Sequence, residues 1–472
     1  MTMTKLENCL FAVVLLVGLA AAQKEVPMPK DLPPYGPEKP LQTPNVKTTT
    51  LNNGLTIWLV SEPGLPKVAL TVEVRGGLAA DPENRPGISQ LLSKTIDQGT
   101  KSRSARQVAQ ELQGAGGDFS AFATKDSLEV STAVLSAKTA TALGVLADVV
   151  QNASFPDGEV DLAKRNLADS LDQQEAEPRF LASRARDRVM FGKHPYHVMS
   201  ATKESVAAAT PADLRDIFAQ RFRPDQALLV AVGDFQSDKM LDAVQAVFGS
   251  WKAPARPSVA LPANPPTTVE HAVFFVPRPG SVQTTIEFAA FGPKRGDPDY
   301  EPAEVANAVY GGTFSSRLVA NIREDKGYTY SPYAFLRPYR AAGELVSHAD
   351  VRNEVTGASL NEIQYELTRL TTTSPTDEEL TKAKRYLVGS EAVNLQDRGS
   401  LAQTLATLWV AGLQPDEIGA RGRRVSATTT ADVNAAARKY FAPHQAAIIA
   451  VGEEKVVREE LAPFGLSVRA VP

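Results

Sequence analysis

The chain has 472 residues, of which 50 are lysine or arginine and 54 are aspartate or glutamate, and its net charge is −4 at pH 7. This length suits two to four domains of ordinary size. Charges of both signs are mixed along the chain, and the sequence has no basic block of the kind that binds nucleic acid, which excludes that class of protein.

The first 22 residues have the pattern of a secretory signal peptide. Lys5 precedes an apolar run from Cys9 to Ala22, and three alanines end this run before Gln23. The run is short for a transmembrane helix, which needs about 20 apolar residues, so we expect cleavage near Gln23 and a secreted or periplasmic protein without a membrane span. An uncleaved anchor is the alternative. Cys9 is the only cysteine, so the mature chain would contain no disulfide.

The predicted leader and the first domain follow the signal peptide. Residues 23–46 contain many prolines and lysines without apolar periodicity, which predicts an extended leader that is not part of a core. Residues 51–60 place an Asn-Gly turn beside residues of high β propensity, and residues 68–74 continue as a second β-rich run. This pattern predicts a hairpin and a strand, and we expect the first domain to span residues 47–250.

The two halves of the remaining chain share local sequence patterns at a nearly constant offset. Residues 163–165, 210–213, 222–224 and 230–233 recur as residues 383–385, 429–432, 441–443 and 449–452, with offsets of 219 or 220. This register favours a duplicated domain of roughly 210 residues. Convergent use of the same helix-loop-strand pattern is the alternative.

A proline-rich stretch separates the halves. Residues 251–267 read as a stiff linker, so the second domain would span residues 268–472. In each half, strand patterns come first, long helical patterns follow, and one strand closes the half. This order predicts an α+β fold with helices layered on a mostly antiparallel sheet.

Residues 311–331 combine a helix pattern with a strand pattern. Phe314, Leu318 and Ile322 recur at helical spacing, and Lys326 with Gly327 ends the predicted helix. The tyrosines that follow alternate as they would in a strand.

Two side chains of this segment are candidates for chemistry. Arg317 at the start of the helix and Tyr330 on the strand could converge as a cation and a phenol donor, both able to bind a carbonyl oxygen or an oxyanion. The alternative is that Arg317 forms an ion pair and Tyr330 packs at a sheet edge.

The run G-G-x-F-S-S-R-L-x-x-x-I-R-E-x-x-G-Y-x-Y-S resembles the signature in the C-terminal half of M16-type zinc peptidases, which include the processing peptidases and pitrilysin-like enzymes. The resemblance implies two tandem duplicated M16/LuxS-like domains that enclose a chamber. It also implies that Arg317 and Tyr330 hold substrate near the scissile bond, with Phe314 as a further substrate-binding residue.

Active members of this family bind zinc through H-x-x-E-H on a helix of the first half. Residues 84–100 resemble that frame, but Gln90, Ser93 and Lys94 stand at the three positions. An amide is a poor zinc ligand, serine is no general base, and an ammonium group repels a divalent cation. The family's last ligand, a glutamate, would fall near residues 169–171, where Asp169 is the only carboxylate. We therefore expect no metal in this chain.

The histidines give a weaker metal signal. His194 and His197 flank a proline, which favours a turn over a helix, so the two rings need not face one ligand. A hydrogen-bonded or solvated loop is the favoured interpretation, and a metal site is the alternative. The isolated His271, His348 and His444 are expected to be structural.

The sequence therefore predicts a zinc-less M16-like subunit that pairs with an M16-type chain bearing H-x-x-E-H. The partner would supply zinc, and this chain would supply Arg317 and Tyr330 for peptide binding and oxyanion stabilisation. We expect it to be inactive alone. The alternatives are a non-catalytic scaffold or peptide-binding protein of the same fold, and an autonomous hydrolase that uses other residues.

Overall fold

A computed structural model of the protein describes residues 40–472. The predicted signal peptide and most of the predicted leader lie outside the described residues. The strands of the described part form two six-stranded sheets, which we call sheet 1 and sheet 2.

The strands of sheet 1 are β1 (Val46–Thr50), β2 (Thr56–Ser61), β3 (Lys67–Arg75), β4 (Ser120–Ala123), β5 (Ser127–Leu135) and β6 (Ala227–Gly233). The strands of sheet 2 are β7 (Val273–Pro277), β8 (Gln283–Gly292), β9 (Tyr333–Pro338), β10 (Gly343–Arg352), β11 (Ala447–Gly452) and β12 (Val468–Ala470).

The helices of the first half are α1 (Ile88–Thr95), α2 (Ala105–Gly114), α3 (Thr139–Asn152), α4 (Asp157–Glu175), α5 (Pro178–Phe191), α6 (Lys203–Ala208), α7 (Pro211–Arg221) and α8 (Ser237–Phe248). Those of the second half are α9 (Tyr300–Tyr310), the short α10 (Arg317–Val319), α11 (Thr356–Thr372), α12 (Asp377–Asn394), α13 (Arg398–Val410), α14 (Glu417–Ala427), α15 (Thr430–Tyr440) and α16 (Glu454–Leu461). A π-helical segment, Ala320–Asp325, continues α10.

The two sheets have the same strand order. Sheet 1 runs β1-β2-β6-β3-β5-β4 and sheet 2 runs β12-β7-β11-β8-β10-β9, so β12 takes the place of β1. Neighbouring strands are mostly antiparallel, with parallel pairs only where β2 meets β6 and where β7 meets β11 and β12. The predicted α+β fold with two mostly antiparallel sheets is confirmed. In each sheet a short strand, β4 or β9, forms one edge.

The shared sequence patterns form matching local structures. Thr210 caps α7 and Thr429 caps α15, and each hydroxyl accepts a hydrogen bond from the backbone of an aspartate three residues later. Both caps are reciprocal capping boxes, in which the aspartate carboxylate in turn accepts from the threonine N–H. The duplication of the sequence itself stays a prediction.

Each sheet is covered on one face by a helix of the other half. Leu401 and Leu405 of α13 pack on Trp58 and Val230 of sheet 1. The helices of the first half, including α1, α3 and α4, cover the opposite face of that sheet. In the same way, α5 of the first half packs against Phe274 and neighbouring residues of sheet 2. Burial of apolar surface therefore joins the halves into one unit.

A buried ion cluster accompanies this exchange of helices. Arg186 of α5 donates to Glu344 of β10 and to Glu287 of β8, both at 2.9 Å. Lys125 of the first half pairs with Asp187 at 2.6 Å. All five side chains are buried, and their charges are paired there.

The end of the predicted leader belongs to the packed structure. Leu41 and Val46 pack against the apolar cluster between sheet 1 and α13, and Thr43 lies on Gly419 of α14. The expectation of a leader outside the core is therefore wrong for its last residues, because their apolar side chains complete that cluster.

Candidate functional site

Helix α1 carries the three side chains that stand at the zinc-motif positions. Gly87 caps α1 with a φ of 78°, and a Cβ at this position would overlap the backbone of Ala201. Gln90 accepts a hydrogen bond from the Ala201 N–H through Oε1 at 2.8 Å, and Ser93 donates to the Gln90 carbonyl oxygen at 2.8 Å. Both side chains therefore serve the local structure.

A cavity of about 450 Å³ lies between α1 and α4 at this position. Gln90 and Lys94 line it from α1, and Ser170 and Gln174 line it from α4. Asp169, the carboxylate that the sequence placed near the last ligand position, is exposed and does not line the cavity. The adjacent residue on the helix points about 100° away, so the serine takes the inward position.

The residues of this cavity do not fit a zinc ion. Zinc requires three or four lone-pair donors from imidazole, thiolate or carboxylate groups. The position offers an amide oxygen that already accepts a backbone hydrogen bond, a hydroxyl and an ammonium group. Among the described residues that line the cavity, Glu159 is the single carboxylate. In residues 40–472, no group of three histidine, cysteine, aspartate or glutamate side chains has a metal-binding arrangement.

Arg317 forms a buried structural ion pair with Glu379. Its Nε donates to Glu379 Oε1 at 2.7 Å and its Nη2 to Oε2 at 2.9 Å, while Nη1 and Nη2 reach the carbonyl oxygens of Thr373 and Ser374 at 3.3 Å. The hydrogen bond from Arg317 holds the pKa of Glu379 at about 2. The arginine thereby fastens the start of α10 to the start of α12.

Tyr330 lies in a different environment. Its side chain is 81% exposed and that of Phe314 is 69% exposed. The Arg323 guanidinium lies 4.8 Å from the centroid of the Tyr330 ring and 4.6 Å from that of Phe314. Arg323 also contacts Glu324 at 3.2 Å. We call Phe314, Arg323 and Tyr330 the aromatic-arginine cluster. A cation between two aromatic faces holds all three side chains in place at the surface.

The secondary structure around Tyr330 differs from the prediction. Gly327 takes a φ of 62° and ends the helical segment as expected, but the next strand, β9, begins only at Tyr333. Pro332 has no N–H to give to a ladder, so the chain before it bends and Tyr330 stays outside the sheet.

Sequence reasoning did not single out Arg323. The residue lies in the π-helical segment, where a turn takes more than four residues, so an α-helical periodicity assigns the wrong residues to each face. A signal was nonetheless available, because Arg323 and Tyr330 bracket the Lys-Gly helix end, and a chain that reverses there brings its flanks together.

Three of the histidines contact backbone groups. His194 Nδ1 accepts from the Tyr196 N–H at 3.2 Å, and His197 Nδ1 lies 2.9 Å from the His194 carbonyl oxygen. His271 Nδ1 lies 2.7 Å from the Ala446 carbonyl oxygen. His348 is buried between Glu287 and Asp350. These contacts agree with the expected hydrogen-bonded loop and structural roles, whereas His444 lines a separate cavity beside the linker.

Within the part of the chain that the structure describes, no helix combines the length and apolar composition needed to cross a bilayer.

Two family models match more than half of the chain between them. Residues 56–200 match the model described as insulinase (peptidase family M16), and residues 208–387 match the model described as the peptidase M16 inactive domain. The aromatic-arginine cluster lies within the second match.

Similar proteins and similar solved structures agree with these two family models. The uncharacterized zinc protease YmxG of Bacillus subtilis is 26% identical over 75% of this chain and 86% of its own length. The mitochondrial-processing peptidase subunit beta of Blastocladiella emersonii is 23% identical over 87% of this chain and 90% of its own length. A crystal structure of a peptidase M16 inactive domain from Pseudomonas fluorescens is similar with a TM-score of 0.81 and 26% identity, over 87% of this chain and 98% of that chain. This chain belongs to the M16 peptidase family.

Proposed function

We propose that this chain is the substrate-binding subunit of an M16 peptidase pair, in which a second M16-type chain with an intact H-x-x-E-H supplies zinc and the general base. The observation that carries the proposal is the aromatic-arginine cluster, which presents two exposed aromatic rings and a half-buried cation in a chain whose zinc-motif helix has no ligand set. The similarity to a processing peptidase subunit supports the division into two chains.

The cluster has the chemistry to hold a peptide. The Tyr330 hydroxyl and the Arg323 guanidinium can donate hydrogen bonds to a peptide carbonyl or to the oxyanion that forms from it. Phe314 offers an apolar face to a substrate side chain. Arg317, which was predicted to converge with Tyr330, instead donates its hydrogen bonds to Glu379 and two carbonyl oxygens. We propose that Arg317 positions the segment and that Arg323 is the cation that meets substrate.

The edge of sheet 1 is a second place for a peptide. Strand β4 pairs with β5 on one side only, and α1 packs against it. A free strand edge accepts an extended peptide as an added strand. A peptide paired with β4 would run beside the helix that carries Gln90, Ser93 and Lys94.

Hydrolysis of a fluorogenic peptide tests the proposal. We expect the chain alone to be inactive and its mixture with an H-x-x-E-H-bearing partner to exceed the activity of the partner alone. Tyr330→Phe should lower kcat of the pair roughly 100- to 1,000-fold, because one oxyanion donor is lost. Arg323→Ala should lower kcat/KM, and Tyr365→Phe, which removes another exposed phenol, should leave the rate unchanged.

The same assay separates the alternatives. Equal rates for the wild type and Tyr330→Phe would remove the catalytic role of Tyr330. A loss of rate in Arg317→Lys without loss of thermal stability would restore Arg317 as the catalytic cation. A mixture that binds peptide without any gain in hydrolysis would favour a scaffold or peptide-binding protein. Export to the periplasm or the medium stays a prediction from residues 1–22.

A further inference from the structure

His348 lies in a row of side chains that crosses sheet 2 to its edge. It is fully buried on β10, opposite Glu287 on β8 and opposite Tyr333 on the edge strand β9. Residues directly opposite each other project from the same face of a sheet. Because Arg186 of α5 donates to Glu287, this is the face that α5 covers.

Both ring nitrogens of His348 contact carboxylates. Nδ1 lies 3.1 Å from Glu287 Oε1, and Nε2 lies 3.2 Å from Asp350 Oδ2. Arg186 donates to Glu287 at 2.9 Å. Arg179, also on α5, donates to Asp350 at 2.8 Å. An ionised carboxylate accepts hydrogen bonds and donates none, so each ring nitrogen must carry a proton. His348 is therefore an imidazolium in the folded chain.

The pKa values agree with this protonation state. Burial by itself lowers the pKa of His348, but the hydrogen bonds with Asp350 and Glu287 outweigh burial and raise it above the ordinary value of 6.5. Burial by itself raises the pKa of Asp350, but hydrogen bonds from His348 and Thr285 outweigh burial and lower it well below its ordinary value. Further charged or titratable groups on the elements around the ring are Glu344 of β10, Arg179 and Arg186 of α5, and Tyr333 and Arg337 of β9.

The charged ring of His348 holds the first residue of β9. The Tyr333 ring stacks on it, with the ring centroids 4.7 Å apart and an angle of 19° between the planes. A cation over an aromatic face attracts that face electrostatically. The Arg179 guanidinium, which is paired with Asp350, lies 5.9 Å from the centroid of the same tyrosine ring. The start of β9 is thus fixed by contacts that include the charge of His348.

Tyr330 lies on a segment that is fixed at its two ends. Before the segment, the Tyr328 N–H donates to the Ile322 carbonyl oxygen at 2.9 Å, and after it β9 begins at Tyr333. Among the described residues, none forms a backbone hydrogen bond with residues 329–332. Proline at position 332 also restricts the backbone of the residue before it. A displacement of Tyr333 is therefore passed on to Tyr330.

We propose that His348 is a positioning residue for Tyr330. Its doubly protonated ring holds Tyr333 and thereby sets where the Tyr330 phenol lies, so that the phenol is correctly placed only while the ring is charged. This role rests on the proposed function of Tyr330, and it adds regulation of that site by pH.

Loss of the proton from His348 would weaken these contacts. One ring nitrogen would then present a lone pair to a carboxylate oxygen, and the stacked Tyr333 ring would no longer face a cation. A misplacement of about 1 Å in a reacting group can cost roughly 100-fold in rate. We therefore expect the phenol to be held in place below the pKa of His348 and released above it.

Fluorine NMR of the full mature chain tests this role without a partner. A 4-fluorophenylalanine in place of Tyr330 keeps the ring and has no ionisable group, so its resonance reports its surroundings alone. Proton–carbon NMR follows the His348 ring, whose signal is assigned by its loss in His348→Gln. Both signals should change with one midpoint above pH 6.5. The fluorine resonance should stay constant in His348→Gln and should respond as in the wild type in His444→Gln, which removes an exposed histidine.

A second variant serves if thermal unfolding shows that His348→Gln has lost its fold. Tyr333→Leu removes the stacked ring and keeps the histidine, so His348 should still titrate while the fluorine resonance no longer follows it. A fluorine resonance that does not follow His348 in the wild type, or that follows it equally in Tyr333→Leu, would overturn the positioning role. Titration of His348 at or below pH 6.5 would overturn its charged state.

Turnover by the active pair gives a kinetic readout. Above the midpoint measured by NMR, kcat should fall with little change in KM. At pH 6, His348→Gln should lower kcat about 10- to 100-fold, and it should remove the alkaline fall. An alkaline fall that survives in His348→Gln would contradict the pH dependence. Absence of hydrolysis in every mixture would overturn the proposed function, whereas the fluorine response of the single chain would still decide whether His348 positions Tyr330.

Discussion

At the scale of single residues, burial decides between side chains that the sequence presents as equivalent. Arg317 and Arg323 lie six residues apart in one motif, yet the first is enclosed by Glu379 and two carbonyl oxygens, and the second is half-buried between two exposed aromatic rings. An ion pair in a buried setting fixes the local structure, whereas a half-buried cation at the surface remains available to a ligand. The arginine that contacts Tyr330 could not be identified from residue type alone.

Glu73 makes the stability of the protein depend on pH. Its pKa of about 8 in the folded chain lies above the ordinary value of 4.5, because burial disfavours the charged form and Glu129 adds repulsion. Between these two pH values the folded state holds a proton that the unfolded state has lost, so the free energy of unfolding falls as pH rises.

We expect Glu73→Gln to remove this fall. Urea unfolding should give similar stability for the wild type and the variant near pH 4.5, and an advantage for the variant of a few kcal/mol near pH 8. Glu354→Gln, at an exposed site, is the control and should follow the wild type at both pH values. A parallel pH dependence of the wild type and Glu73→Gln would show that Glu73 is ionised in the folded chain.

At the scale of elements, local rules account for much of the structure. The capping boxes at Thr210 and Thr429, the stop at Gly327 and the helical placement of Gln90, Ser93 and Lys94 all follow from short-range patterns in the sequence. These patterns also predict the α+β class. They did not predict the π-helical segment, because its wider turn departs from the α-helical periodicity on which the prediction relied.

The position of the predicted leader also could not be read from local sequence patterns. Its composition predicts an extended chain outside the core, whereas the structure shows Leu41 and Thr43 against α14. Gly419 and Gly422 leave space on that helix, and a Cβ on either would meet Thr43 or Leu41. The glycines weaken α14 as a helix and allow the close approach of the leader.

Substitution of two helical glycines tests this explanation. Gly419→Ala should lower the free energy of unfolding by about 1–3 kcal/mol, because its methyl group overlaps Thr43. Gly389→Ala, in α12 with no atom near the new methyl group, should raise it by up to about 1 kcal/mol. Chemical denaturation measures both. A gain of stability in Gly419→Ala would show that the leader does not rest on α14 in solution.

At the scale of the whole molecule, the main feature is that the two halves exchange a helix, because α5 of the first half packs on sheet 2 and α13 of the second half packs on sheet 1. The sequence pattern assigns each helix to the half that contains it, since apolar periodicity marks a buried face without naming what buries it. Only the tertiary structure shows that α13 covers sheet 1 and that α5 covers sheet 2. The linker is likewise tied down, because Arg223 donates to the Arg256 carbonyl oxygen at 2.8 Å and Arg340 donates to that of Pro262.

The ion cluster at the exchanged helix α5 has a measurable consequence. Arg186→Met would leave Glu287 and Glu344 buried beside each other without their main cation, and we expect the free energy of unfolding to fall by about 3–5 kcal/mol. Arg458→Met breaks an exposed pair with Glu454 and should change it by about 0.5 kcal/mol or less. Thermal and urea denaturation compare the two. Equal stability of both variants would mean that water or rearrangement compensates the glutamates.

The exchange of helices also bears on how such a chain can be divided. A fragment that ended in the linker would expose the apolar faces of β2 and β6 and would carry α5 with nothing to cover. Each piece would hold the missing part of its counterpart. We therefore expect the two fragments to be soluble and folded only when they are expressed together. During translation, the first half should complete its folding only after the residues from 398 onward have been synthesised.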